Sequence, residues 1–158
     1  MTILGHENGD GSRPKKVLIV DDDDEVARTL QSIVERHGFE VARAENGAVA
    51  LTKIQSERPD VILLDIVMPV MDGFQTLSVL RKMPEARSIP VIILSIRSDD
   101  ATVSAAWQGG ATLYLPKPFS SRELITVLRR VLAVADDLRE GEGPQQAELG
   151  LPVEVPTS

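Results

Sequence analysis

The 158 residues are 42% hydrophobic and contain no cysteine, enough to bury one core without disulfides or thiolate metal sites. Aromatic residues make up only 3%, so that core must be built from Val, Ile, Leu and Ala. A net charge of −7 excludes the basic face that direct nucleic-acid binding needs, and no apolar run approaches the roughly 20 residues of a membrane span.

Residues 1–14 contribute −1, carry no apolar signal-peptide stretch and read as a flexible N-terminal arm on a cytoplasmic protein. The first predicted strand, Val17–Val20, runs straight into Asp21 and Asp22. A helix carrying Val26, Leu30, Ile33 and Val34 follows, with apolar spacing i, i+4, i+7, i+8, and stops at Gly38. A second strand is predicted over Phe39–Ala42. The second helix starts near the N-cap residue Asn46 and ends before Pro59. The run Val61–Leu64 reads as a strand buried on both faces and ends in Asp65. A third helix extends from about Gly73 through Phe74, Leu77 and Leu80 to Met83, closed by Pro84. The strand Val91–Leu94 ends in Ser95, and a fourth helix spans about Asp99 to Gln108, stopping at Gly109-Gly110.

The last predicted strand, Leu113–Leu115, leads to Lys117. Ser120-x-x-Glu123 then forms a capping box, Phe119 and Leu124 are placed for a hydrophobic staple, and Leu124, Val127, Leu128, Val131 and Leu132 line one helical stripe. Residues 134–158, with Pro and Gly and a charge of −5, read as an acidic C-terminal tail, leaving 15–133 as a nearly neutral folded domain. Five βα units in succession predict an α/β fold: a parallel sheet covered by helices on both faces.

Open α/β sheets bind ligands in the crevice outside the carboxyl ends of their strands. Four strand ends here point Asp21, Asp22, Asp65, Ser95 and Lys117 toward that crevice. Taken singly each has an ordinary reading: acids at a helix start, a satisfied hydroxyl, a solvated loop lysine. Together they are complementary. Clustered carboxylates without Cys or His suit Mg²⁺, which wants oxygen ligands and attracts a phosphoryl group. Lys117 can neutralise one phosphoryl oxygen and Ser95 can hydrogen-bond another, while a carboxylate can serve as the nucleophile in phosphoryl transfer.

Val-Leu-Ile-Val-Asp21-Asp22, Asp65 with Met68-Pro69-x-Met71-Asp72-Gly73, Pro90-Val-Ile-Ile-Leu-Ser95 and Tyr114-x-x-Lys117-Pro118-Phe119 resemble, as a set, the receiver domain of two-component response regulators. The resemblance covers about Lys16 to Ala133 and implies the flavodoxin-like doubly wound (βα)5 fold with strand order 2-1-3-4-5. It implies that Asp65 accepts phosphate from a sensor histidine kinase or phosphotransfer protein. It further implies that Asp22, Asp65 and the Val67 backbone carbonyl ligate Mg²⁺ with help from Asp21, and that Lys117 clamps the phosphoryl group. Ser95 and Tyr114 would be the switch pair, and the Lys117-Pro118 bond would be cis. By the same resemblance the fourth helix, fifth strand and fifth helix form an output surface, here including Val103, Trp107 and Tyr114, facing a downstream protein target or a second copy in a homodimer.

The chain departs from the family pattern at Ile96, where alanine is common; its stiff β-branched side chain is expected to crowd the phosphoryl group and the inward position of Tyr114. Val67 and Arg97 flank the site and are expected to hinder attacking water, prolonging the phosphorylated state. Two other readings stay open: a haloacid-dehalogenase-like phosphatase with Asp21 as nucleophile and Asp23 as acid/base, and a phosphorylation-independent docking module. An EF-hand starting at Asp21 fails, because Val26 and Ser32 occupy its glycine and bidentate-acid positions.

Overall fold

The computed structural model describes residues 13–68 and 70–139. Within them five parallel strands, β1 (Lys16–Val20), β2 (Glu40–Ala44), β3 (Val61–Asp65), β4 (Val91–Ser95) and β5 (Leu113–Pro116), form one sheet in the order β2-β1-β3-β4-β5. They alternate with α1 (Asp24–Arg36), α2 (Gly47–Glu57), α3 (Gly73–Lys82), α4 (Asp100–Gln108) and α5 (Ser121–Arg139). This is the predicted architecture and strand order.

Strand side chains alternate between faces, and the sheet separates two cores accordingly. Val17, Ile19, Val61, Leu63, Ile92 and Leu94 face α1 and α5, packing with Leu30, Val34, Leu124, Leu128 and Val131. Leu18, Val20, Ile62, Leu64 and Ile93 face the other way, against Ile54 of α2, Leu77 and Leu80 of α3 and Ala106 of α4. The central strands β1 and β3 run level, with Val17 opposite Val61 and Val20 opposite Leu64.

The helices start where side chains can accept their free N–H groups. Asp23, Asn46, Asp72 and Asp99 cap α1 to α4, and Asp72 forms a reciprocal capping box with Gln75. In the second box Ser120 N donates to Glu123 at 2.8 Å and Glu123 N donates to Ser120 Oγ at 3.0 Å.

Two boundaries differ from expectation. β2 runs Glu40–Ala44 rather than Phe39–Ala42, because Arg43 and Ala44 still pair with Ile19 and Val20. The small Ala42 and Ala44 and the charged Arg43, tied to Asp24 across the sheet edge, gave no apolar signal there. α5 continues past residue 133 to Arg139, its charged turn held where Lys15 Nζ lies 2.9 Å from Asp136. The rest of the expected tail, residues 140–158, and residues 1–12 of the expected arm lie outside the described residues.

Candidate functional site

The end of β1 and the end of β3 place Asp21, Asp22 and Asp65 together, each offering a carboxylate oxygen within 4.8 Å of the others. Asp21 is buried, Asp65 is half-buried and Asp22 is exposed, so the group forms a notch open to solvent at one side. Asp21 Oδ1 accepts a hydrogen bond from the Asp23 backbone at 2.9 Å. Its other oxygen, Oδ2, is buried without a hydrogen-bond partner and lies 3.7 Å from Lys117 Nζ.

The electrostatics reflect that crowding. Burial raises the Asp65 pKa from the ordinary 3.8 to about 6; Lys117 opposes the shift, and the charges of Asp21 and Asp22 add to it. Burial also raises the pKa of Asp21, against the Asp23 backbone bond and Lys117. Three carboxylates, one buried oxygen without a partner, and no nitrogen or sulfur ligand among them: this donor set fits a hard divalent cation.

On the other side of Asp65, Ser95 is buried at the end of β4. Its Oγ accepts from the Arg97 backbone at 2.9 Å, leaving its own proton to donate, and its carbonyl accepts from Lys117 N at 2.8 Å. That backbone bond ties the lysine to the hydroxyl's strand end. The Lys117-Pro118 peptide is cis. Tyr114 is buried in the core beneath α4, with burial raising its pKa; its hydroxyl is near enough to Ser95 to be influenced by it but makes no well-formed hydrogen bond.

The flanking residues behave differently from expectation at one point. Ile96 is 74% exposed while Tyr114 is 6% exposed, so the isoleucine does not keep the tyrosine from its inward position. Val67 is also exposed, its N–H 3.4 Å from Asp65 Oδ1, and Arg97 reaches Asp99 at 3.8 Å. Val103 and Trp107 are half-buried, and the indole packs against both cores around the β5 edge, its Nε1 buried without a partner. Tyr114 lies inside, so of the three residues expected at an output surface only Val103 and Trp107 are partly exposed in this conformation.

Gly73, expected as the start of the third helix, also positions the site. A Cβ on Gly73 would come within 2.6 Å of Asp65 O and of Ile66 Cα, and Gly73 N donates to Ile66 O at 2.8 Å. The start of α3 therefore presses on the backbone that carries Asp65. The Asp72-Gly73 pair was visible in the sequence, but nothing local revealed this close approach.

The family model of the response regulator receiver domain matches residues 17–129. The chain is 42% identical over 122 residues to the transcriptional regulatory protein PrrA of Mycobacterium tuberculosis, across 77% of this chain and 52% of that protein. It thus spans about half the length of that relative. It is 38% identical over 118 residues to protein PilH of Pseudomonas aeruginosa, across 75% of this chain and 98% of PilH. Among solved structures, the chemotaxis protein CheY4 of Vibrio cholerae superposes with a TM-score of 0.72 at 34% identity, covering 75% of this chain and 98% of that one. A response regulator from Chloroflexus aurantiacus gives 0.73 at 36% identity, covering 77% and 99%.

Proposed function

The chain belongs to the response regulator receiver domain family, and on that premise we propose that Asp65 accepts a phosphoryl group from a phosphohistidine on a sensor kinase or phosphotransfer protein. The observation that carries this reading is the half-buried Asp65 carboxylate held between two further acids and the Lys117–Ser95 pair. With its pKa near 6, Asp65 is mostly ionised at neutral pH and available as a nucleophile. A carboxylate oxygen bonds to phosphorus as the phosphorus–nitrogen bond breaks, and the electron pair leaves with the imidazole.

Asp21, Asp22, Asp65 and the Val67 carbonyl would hold Mg²⁺, which when bound offsets the repulsion between the acids and the incoming phosphoryl oxygens. Lys117 gives up its 3.7 Å contact with Asp21 to neutralise a phosphoryl oxygen, and the free Ser95 proton donates to another. Movement of Ser95 beside the partnerless Tyr114 hydroxyl then biases the α4–β5 region between two arrangements, so that Val103 and Trp107 become part of an output surface for a protein target or a second copy. In this reading the chain acts in the cytoplasm as a signalling module rather than a turnover enzyme; among the described residues no helix is long and apolar enough to cross a membrane. The phosphatase alternative gains no support, since its nucleophile Asp21 is only 4% exposed and already engaged by the Asp23 backbone.

Intact mass after treatment with acetyl phosphate and Mg²⁺ tests the reading. One added phosphoryl group is expected, absent in Asp65→Asn; no adduct, or an adduct that persists in the variant, would sink it. Val67→Asn is expected to speed loss of that group by admitting water beside it, and an unchanged lifetime would show that Val67 does not shield it.

A further inference from the structure

The two ends of α4 are held very differently. At the C-terminal end, Gly110 N donates to Trp107 O at 3.1 Å and Ala111 N donates to Ala106 O at 3.0 Å, closing the helix into the α4–β5 turn. That turn is fastened to its surroundings. Arg81, in the last turn of α3, donates from Nε to Gly110 O at 2.9 Å. One of its terminal nitrogens donates to Ile89 O at 2.8 Å and to Arg87 O at 3.1 Å. Thr112 N donates to Val91 O at 2.8 Å, and Val91 N returns a bond to Thr112 Oγ1 at 3.0 Å. A single half-buried arginine thus joins α3, the α3–β4 loop and the α4–β5 turn, its fork of donors spread over three carbonyls.

Gly110 is shaped for this contact. Its φ is 101°, and a Cβ there would lie 2.9 Å from Arg81 Cγ and 3.0 Å from Arg81 Nε, so the arginine stem crosses a bare Cα. A Cβ on Gly109 would meet Leu77 of α3 at 3.1 Å. The glycine pair expected only to stop the helix also lets α3 close on the turn.

Among the described residues the N-terminal end of α4 has weaker ties. Asp99 caps the helix and bonds Thr102, both within the helix's own first turn. Asp100 and Ala101 are exposed. The link to the site is Arg97 N, which donates to Ser95 Oγ at 2.9 Å.

We infer that Arg81 is a positioning residue of the switch: it holds the α4–β5 turn still, so that α4 swings about Gly109-Gly110 when its N-terminal end is displaced at Ser95. The inference rests on Asp65 being the phosphoryl acceptor and deepens that reading by assigning the fixed point. When the Ser95 hydroxyl turns to a phosphoryl oxygen, its bond with Arg97 N gives way and the loop carries the start of α4 with it. The nine residues of α4, at about 1.5 Å each, make a lever about 13 Å long. A tilt of about 20° moves its free end by about 4–5 Å and its pinned end by less than about 1 Å. Val103 travels with the moving half, whereas Trp107, beside the pivot, turns more than it travels. Without the arginine the same pull shifts the whole helix, because so little of it is buried.

The chain contains no cysteine, so spin labels can be attached at chosen positions alone. Ala101→Cys and Gln108→Cys place exposed labels at the two ends of α4, each paired in turn with Ser32→Cys on α1 and Thr126→Cys on α5. With Mg²⁺ and beryllofluoride, pulsed electron paramagnetic resonance is expected to show an Ala101 distance changing by about 3–5 Å against at least one reference. Both Gln108 distances are expected to change by less than half as much. In Arg81→Met, which keeps an apolar stem and removes every donor, Gln108 is expected to move as far as Ala101. Arg81→Lys, which keeps the charge without the fork, is expected to do the same and serves should the methionine variant not fold. Asn46→Ala, which removes the α2 cap over the opposite edge of the sheet, is expected to keep the parent's pattern. Equal movement at both ends of the parent's α4, stillness at both although fluorine NMR shows bound beryllofluoride, Arg81 variants that keep the parent's pattern, or Asn46→Ala losing it would each overturn the pivot. A parent that binds no beryllofluoride would instead remove the Asp65 reading, and the pivot with it.

Discussion

Asp65 ties chemistry to stability at the level of a single side chain. Its folded pKa of about 6 lies above the ordinary 3.8, so the native state holds the proton more tightly than the unfolded chain. The favourable contribution is complete below about pH 4 and is lost as pH rises through about 6. In metal-free buffer, wild type is therefore expected to lose stability relative to Asp65→Asn between pH 4 and pH 7. Denaturant titrations at both values check this; a constant difference between the two proteins would contradict the assigned burial. Carboxylates whose pKa is lowered, such as Asp24 beside Arg43 and Asp99 beside Thr102, act in the opposite direction in both proteins and cancel from the comparison.

Two glycines allow a second residue-level comparison. Gly73 leaves no room for a Cβ against the Asp65 and Ile66 backbone, and Gly47 leaves none against the Thr76 hydroxyl. Either alanine substitution is expected to destabilise by about 1–3 kcal/mol through overpacking. Only Gly73→Ala displaces the backbone carrying Asp65, so only it is expected to weaken Mg²⁺ binding as well. Equal metal affinity in the two variants would reduce Gly73 to a packing residue. No sequence signal separates these roles: in the chain both are simply glycines beside a helix start.

Among the elements, α4 is the least embedded. It is short, and its buried residues are Thr102 and Ala106 alone. Trp107 reaches from it around the β5 edge to touch both cores, and its indole N–H finds no partner there. A buried unpaired donor of this kind costs about 1–3 kcal/mol, which narrows the gap to any arrangement that pairs it. Fluorescence of this sole tryptophan is accordingly expected to change when Asp65 is loaded with beryllofluoride. A silent emission spectrum would place the indole outside the switch.

The helices and inner strands were legible because each announces itself locally. Asn46 and the Ser120–Glu123 pair mark starts, and Val91–Leu94 and Val61–Leu64 are uninterrupted apolar runs. β2 was harder, since an edge strand built on Ala42, Arg43 and Ala44 buries small residues and shows a charge. The end of α5 was missed because its last turn is held by the Lys15–Asp136 ion pair rather than by an apolar stripe. The expected convergence of Asp21, Asp22 and Asp65 could be read because strand ends in a parallel sheet share one edge. The outward turn of Ile96 and the left-handed Val70 could not, since both depend on loop backbone that no periodicity encodes.

At the scale of the whole molecule, repulsion in the notch and stability of the two cores are a single balance. A cation that binds only the folded notch stabilises the fold by mass action, by about 2.7 kcal/mol at a hundredfold excess over its Kd. Added Mg²⁺ is thus expected to raise the thermal midpoint at neutral pH, chelation to reverse the rise, and Asp22→Ala to diminish it. An unchanged midpoint across millimolar Mg²⁺ would mean that the three acids do not form a metal site.

The level pairing of Val20 with Leu64 has a further consequence. Because Asp21 and Asp65 are each the next residue along, the ladder between these two neighbouring strands also sets how the acids meet. Sliding one strand by a single residue would drive each aliphatic side chain into the opposite core, packed around different shapes, so such a slip would disrupt packing on both faces at once. Misassembly of the phosphate pocket is thereby policed by the oil-like interior itself: any molecule compact enough to persist already has its acids aligned.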